Sequence, residues 1–191
     1  MQRNELHQHI ITTAGKLFYV QGYNSTGINE IIAQCGIAKA TLYSHFKSKE
    51  DLCIAHLEGR HKAFMERLKS HTGGKKPGRN RLLAIFELLQ DLYREEDFQG
   101  CWGLKTLGEL SPDQKKILSV IQKQKKELLD HLTEEVTGNL PNLSKAEIER
   151  ISGGLYLLYE SAITESRLFG NDWPIYTAKG IAPSLFPEKG P

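Results

Sequence analysis

Apolar side chains fall at Leu6, Ile10, Ala14, Leu17 and Phe18, a spacing that lines one face of an α-helix. Gly22 is expected to end that helix, because glycine readily takes the left-handed conformation of a C-cap. Ser25 or Thr26 then offers a cap to a short second helix carrying Ile28, Ile31, Ile32 and Cys35, and the Cys35-Gly36-Ile37 step breaks it. A third short helix is expected from about 39 to 45. Ser48 caps a long fourth helix, with Asp51 in its first turn and Leu52, Ala55, Leu57 and Phe64 on its apolar side.

That helix is expected to end in the segment HTGGKKPG at 71–78, where glycine, lysine and proline mark a loop. Leu82 to Tyr93 reads as a fifth helix, and a shorter apolar one lies around Cys101 to Leu110. Ser111-Pro112-Asp113-Gln114 supplies an N-cap, a proline at the first helical position and a glutamine for a capping box, opening a helix that runs to about Gly138. Ser144 and Glu147 repeat the device for a helix over 145–169, and Asp172-Trp173-Pro174 starts a last one that ends near Phe186. No stretch alternates with the period of a strand and no segment repeats. The pattern predicts an all-α chain of about nine helices.

Composition narrows the class. The chain has 191 residues, 39% hydrophobic and 25% charged, which are ordinary globular proportions. No apolar run approaches the roughly 20 residues that cross a bilayer, and no apolar stretch comes after the N-terminal charge as in a signal peptide, so a cytoplasmic location is expected. Cys35, Cys53 and Cys101 are odd in number and lack a CxxC pair, which points to reduced thiols and away from disulfides or structural zinc. A redox role for Cys101 finds no nearby Lys/Arg pair in the sequence to favour its thiolate. Net charge is only +2, but residues 1–49 carry Arg3, Lys16, Lys39, Lys47 and Lys49 against Glu5 and Glu30. The positive field lies at the N-terminal end.

Two short helices joined by a turn containing Gly36, the second bearing polar side chains, fit a helix-turn-helix. Ile31, Ile37 and Leu42 would fasten the pair to the first helix and leave the third free to enter a major groove. Lys39, Thr41, Tyr43 and Ser44 bring a cation, hydroxyls and a ring suited to phosphates, base edges and thymine methyls. Lys49 adds a phosphate contact at the start of helix four.

The stretch GYNSTGINEIIAQCGIAKATLYSHFKSKEDL resembles, almost element by element, the N-terminal signature of the TetR family of transcriptional regulators, over about residues 5–55. The resemblance implies that Thr26 and Gly27 touch backbone phosphates, that Lys39, Ala40, Thr41, Tyr43, Ser44 and His45 form the recognition helix, and that Lys49 is a phosphate contact. Three positions depart from the family's habit. Ala38 stands where a capping serine is common, Ala40 where glycine is common, and Ile32 where a small residue is usual. The resemblance also implies a division into a DNA-binding domain over 1–50 and an effector-binding and dimerisation bundle over 51–191. The expected function is a dimeric repressor on a palindromic operator in double-stranded DNA, released by a small-molecule effector.

Other features of the chain point to no further chemistry. His45 has no nucleophile or carboxylate at a catalytic spacing, and His7 and His9 point about 200° apart around a helix, so neither catalysis nor a metal site is expected, and no cofactor. The lysines of IQKQKKELLDHL are balanced by Glu127, Asp130, Glu134 and Glu135 at helical spacings. Within the apolar C-terminal region, Tyr93, Trp102, Glu109 and Tyr159 are the candidate effector-lining residues, against the plainer reading that they are core. The small residues of SGGLYLLYESA at 152–162 permit close approach of another helix, either within the bundle or across a dimer. The alternative from another class, a small helical enzyme or cofactor-binding protein centred on Trp102, finds no nucleophile–base pair, metal box or phosphate loop in the sequence.

Overall fold

A computed structural model describes residues 2–187. Helix α1 (Arg3–Gln21) turns the first apolar stripe inward, burying Ile10, Ala14 and Phe18. It stops at Gly22, whose φ of 101° and ψ of 156° fall outside the left-handed C-cap geometry expected from the sequence but still on the positive side that glycine tolerates best. α2 (Ile28–Cys35) and α3 (Lys39–His45) come next. α2 is not capped by Ser25 or Thr26: Gly27 is its N-cap and no side chain bonds its first N–H groups. The Thr26 hydroxyl turns back instead and donates to the Gly22 carbonyl at 2.7 Å. Between the helices, Gly36 has φ 65° and ψ 34°, the left-handed conformation that a side chain would oppose.

α4 (Lys49–Gly73) begins as expected, with the Asp51 N–H donating to Ser48 Oγ at 3.0 Å. α5 (Arg79–Tyr93) starts three residues before Leu82, and α6 (Trp102–Leu107) is short. α7 (Lys115–Asn139) starts later than the Ser111 box implies. Half of that box forms, with the Ser111 N–H donating to Gln114 Oε1 at 2.9 Å. The other half does not, because the Ser111 hydroxyl donates to the Asp113 carboxylate and residues 111–114 close a turn. α8 (Lys145–Phe169) has the full reciprocal box between Ser144 and Glu147. The expected last helix is divided: α9 (Trp173–Ile181) gives way to a 3-10 turn at Ala182–Leu185, where Pro183 has no N–H to continue the α pattern.

The chain separates into two compact units. The first comprises residues 1–63 and 102–123, so that α6 and the opening turns of α7 belong with α1–α3. Its core holds Ile10, Phe18, Ile31, Leu42, Leu52 and Leu57 together with Ile117 and Ile121. The second comprises 64–101 and 124–191, with Phe86, Leu89, Leu132, Ile151, Leu155 and Ile175 buried. Within it α8 packs on α9 and α5 on both. Among the described residues there is no strand, and no helix is long and apolar enough to cross a membrane.

Candidate nucleic-acid interface

Leu42 is the pin of α3. It is fully buried, as is Ile31 of α2, and Ile37 packs against the same core. One buried residue on a seven-residue helix leaves the opposite face outward: Lys39, Ala40, Tyr43 and Ser44 are exposed, while Thr41 is half-buried. Tyr43 keeps 43% of its surface in solvent, so its ring and hydroxyl are available to a partner. Ser44 Oγ donates to the Thr41 carbonyl at 2.7 Å, which leaves the oxygen's lone pairs outward. Ala38 caps α3 by position only, with no side-chain bond to the helix.

The end of α3 is tied down through two imidazoles. His45 Nδ1 lies 3.3 Å from His7 Nδ1, and the His7 ring stacks on Phe46 at 4.6 Å between centroids. His45 therefore reaches toward α1 as well as outward. Lys49 holds its ammonium 4.4 Å from the centre of the Tyr23 ring, and burial lowers its pKa below the ordinary lysine value, opposed by Cys53 and Glu109. Thr26 is fully buried, accepting a bond from Gln21 Nε2 at 3.3 Å besides the one it donates. Gly27, next to it, is exposed at the uncapped start of α2. Solvent therefore reaches the backbone at Gly27, while the threonine hydroxyl is engaged with Gly22.

Residues 10–55 match the model described as bacterial regulatory proteins, tetR family. Over these residues the chain is similar to the TetR family. The chain is 35% identical over 98 residues to the uncharacterized HTH-type transcriptional regulator YerO of Bacillus subtilis, covering 50% of this chain and 34% of that one. It is 26% identical over 109 residues to the HTH-type transcriptional repressor NemR of Escherichia coli K12, covering 56% of this chain and 55% of the repressor. The matched segments thus span between a third and little more than half of these relatives. The TetR-family regulator SCO4454 of Streptomyces coelicolor has the same fold, with a TM-score of 0.83 over 95% of this chain and 94% of that one at 22% identity.

The four candidate effector residues fall in different surroundings. Tyr93 and Tyr159 belong to the second unit. Tyr93 meets Phe98 edge to face at 5.2 Å, and Tyr159 is buried with its ring 6.1 Å from that of Phe64. Trp102 and Glu109 belong to the first unit, where the Arg60 guanidinium lies 5.2 Å over the Trp102 ring and Glu109 accepts the Asn24 N–H at 2.7 Å. Two open cavities of the second unit, about 700 and 420 Å³, are lined by none of the four. The larger sets Lys75, Lys76 and Arg79 among Pro77, Leu140, Pro141 and Pro187, and the smaller is lined by charged and polar groups that include Arg81, His131, Glu134 and Glu135.

Two groupings were not legible in the sequence. Lys125 donates to Glu160 at 2.6 and 2.7 Å and to Cys101 Sγ at 3.1 Å, so a cation does stand beside that thiol, supplied from 24 residues away. Lys126 pairs with Asp130 one turn on, as the charge pattern implies. The polar side chains of 105–114 that reach residues 19–24 form the second grouping, and no spacing rule connects segments 85 residues apart.

Proposed function

We propose that the protein is a ligand-responsive transcriptional regulator, a repressor that holds a palindromic operator as a homodimer and lets go when a small molecule binds. The observation that carries the reading is the outward face of α3, where Lys39, Tyr43 and Ser44 stand clear of a helix pinned by buried Leu42. A helix fits the major groove of B-DNA, and these side chains supply charge, hydrogen bonds and an apolar surface to it. Gly27 and Lys49 flank that face as phosphate contacts; Thr26 serves them indirectly by holding the turn, and His45 fixes the helix end. Ala40 and Thr41 complete the reading surface.

A single recognition helix reads few base pairs, so a second copy is part of the proposal. Its support is the apolar surface of α8 and α9: Leu157, Leu168, Phe169, Trp173 and Tyr176 all keep about half or more of their surface in solvent, Leu168 as much as 71%. Such residues in solvent are normally covered by a partner. Of the two glycines in the 152–162 stretch, Gly154 faces Leu185 of the same chain, where a Cβ would come within 2.7 Å, whereas Gly153 has nothing within 4 Å and is free to admit a second helix. The effector acts on the second compact unit, with Tyr93 and Tyr159 as candidate lining, since Trp102 and Glu109 belong to the first. DNA reading stays with residues 1–50.

Selection of bound duplexes from a random pool, and then a screen of metabolites for release, tests the proposal. Enrichment of an inverted repeat, with at least one compound lowering its affinity, is the expected result. Binding that never rises above random competitor removes it.

A further inference from the structure

The loop that leads into α2 is gripped by residues far along the chain. Asn24 donates its backbone N–H to Glu109 Oε2 at 2.7 Å and its side-chain amide to the Glu109 carbonyl oxygen at 2.7 Å. Two bonds from one residue to both ends of another fix direction as well as distance. Four residues earlier, Lys105 donates its ammonium to the carbonyls of Tyr19 at 2.6 Å and Val20 at 3.3 Å. Those carbonyls end α1, which has no basic residue in its own last turn, so Lys105 supplies the cation that a helix C-terminus favours. Gly22 lies between these contacts, and a Cβ there would sit 2.6 Å from Glu109 Oε1. Gln114 adds a bond to the Tyr23 hydroxyl at 3.1 Å. All of these residues belong to the first compact unit.

The grip matters because the gripped loop runs directly into the start of α2. That helix begins without a side-chain cap, so its leading N–H groups at Gly27 and beyond have no side-chain partner. An uncapped, solvent-exposed helix start suits a phosphate oxygen, provided the preceding turn holds it in place. Within that turn the Thr26 hydroxyl fixes Gly22, and Glu109 fixes Asn24.

We infer that Glu109 is a positioning residue of the DNA-binding unit: through Asn24 it sets the 22–27 turn so that the start of α2 meets a backbone phosphate, with Lys105 holding the end of α1 in the same register. The inference rests on the reading that this unit binds duplex DNA. It gives Glu109 a role different from lining an effector pocket.

The experiment measures operator affinity by fluorescence anisotropy at several salt concentrations, with thermal unfolding and dimer mass recorded for each variant. Glu109→Ala should weaken binding roughly tenfold, as loss of a charge-assisted bond implies, and should reduce the slope of log affinity against log salt by about one phosphate contact. Glu109→Gln keeps an acceptor for the Asn24 N–H and should restore that slope. A merely structural role would lower the melting temperature and leave the slope as in the wild type, and that result overturns the inference. So does wild-type affinity in Glu109→Ala. If that variant fails to fold, Asn24→Ala in the exposed loop removes the other half of the clasp, the side-chain amide's bond to the Glu109 carbonyl, and should likewise weaken binding and lower the slope; wild-type affinity and slope there overturn the inference. A wild-type protein with no preferred duplex would instead remove the DNA-binding reading, and this inference with it.

Discussion

Tyr43 and Lys39 illustrate how much a residue's role depends on what lies beneath it. Both are exposed only because Leu42, one residue from Tyr43, is fully buried and orients the helix. Lys39→Ala should weaken operator binding uniformly across sequences and lower the salt slope by about one, whereas Tyr43→Ala should lose preference among sequences with the slope unchanged; anisotropy titrations on the selected operator and on point-changed versions distinguish the two. His56 offers a pH test of the same unit. Burial, with the Arg60 charge second, pulls its pKa from 6.5 down to about 4, so the folded protein keeps the ring neutral where the unfolded chain protonates it. Its contribution is complete above the ordinary histidine pKa and is lost as pH drops toward the folded value, by up to roughly 3 kcal/mol. Urea unfolding at several pH values between neutrality and the folded pKa should show that decline, and His56→Gln should flatten it. The identities of Tyr43, Lys39 and His56 are plain in the sequence. Which of them faces water is set by packing.

At the level of elements, two similar sequence signals had different outcomes. Ser144 and Glu147 form a reciprocal cap and α8 starts at the next residue, as the pattern predicts. Ser111 and Gln114 carry the same spacing, but Asp113 stands between them and takes the serine hydroxyl, so α7 begins later. A capping pattern names possible partners, and a nearer carboxylate wins on distance. α3 shows the converse, a helix that forms in the expected place without a capping side chain. Its position is imposed by Leu42 and by the His7–His45 contact. Ala38→Ser should therefore stabilise the domain by about 1 kcal/mol, read as a rise in melting temperature, because its oxygen would meet an N–H that no side chain now caps. An unchanged melting temperature would mean that those N–H groups already have water as an equal partner.

For the molecule as a whole, the proposed homodimer rests on the surface of α8 and α9. Leu168 and Trp173 are respectively 71% and 49% exposed, and the Phe169 and Trp173 rings lie 5.4 Å apart on that surface. Replacing Leu168 and Trp173 together with glutamate should give a monomeric mass by light scattering and weaken operator binding at least about thirtyfold, since central interface anchors contribute about 2 kcal/mol or more each. A dimeric mass in that variant would move the interface elsewhere on the protein. The grouping of α6 and the start of α7 with α1–α3 also belongs to this scale. It places Glu109 and Trp102 in the unit that carries the helix-turn-helix, although the last turns of α4 and all of α5 intervene in the sequence.

The sequence alone determined which segments are helical, where the helix-turn-helix lies and which polar types it presents. Those features arise from spacing, from glycine at a left-handed turn and from a local signature, all of which act over a few residues. Tertiary structure alone decided that Thr26 is buried and Gly27 exposed, that Lys125 stands beside Cys101, and that Glu109 holds Asn24. These pairings join residues whose neighbours in space are set by how whole helices pack, and packing depends on the complementary shape of many side chains together, which no local pattern encodes.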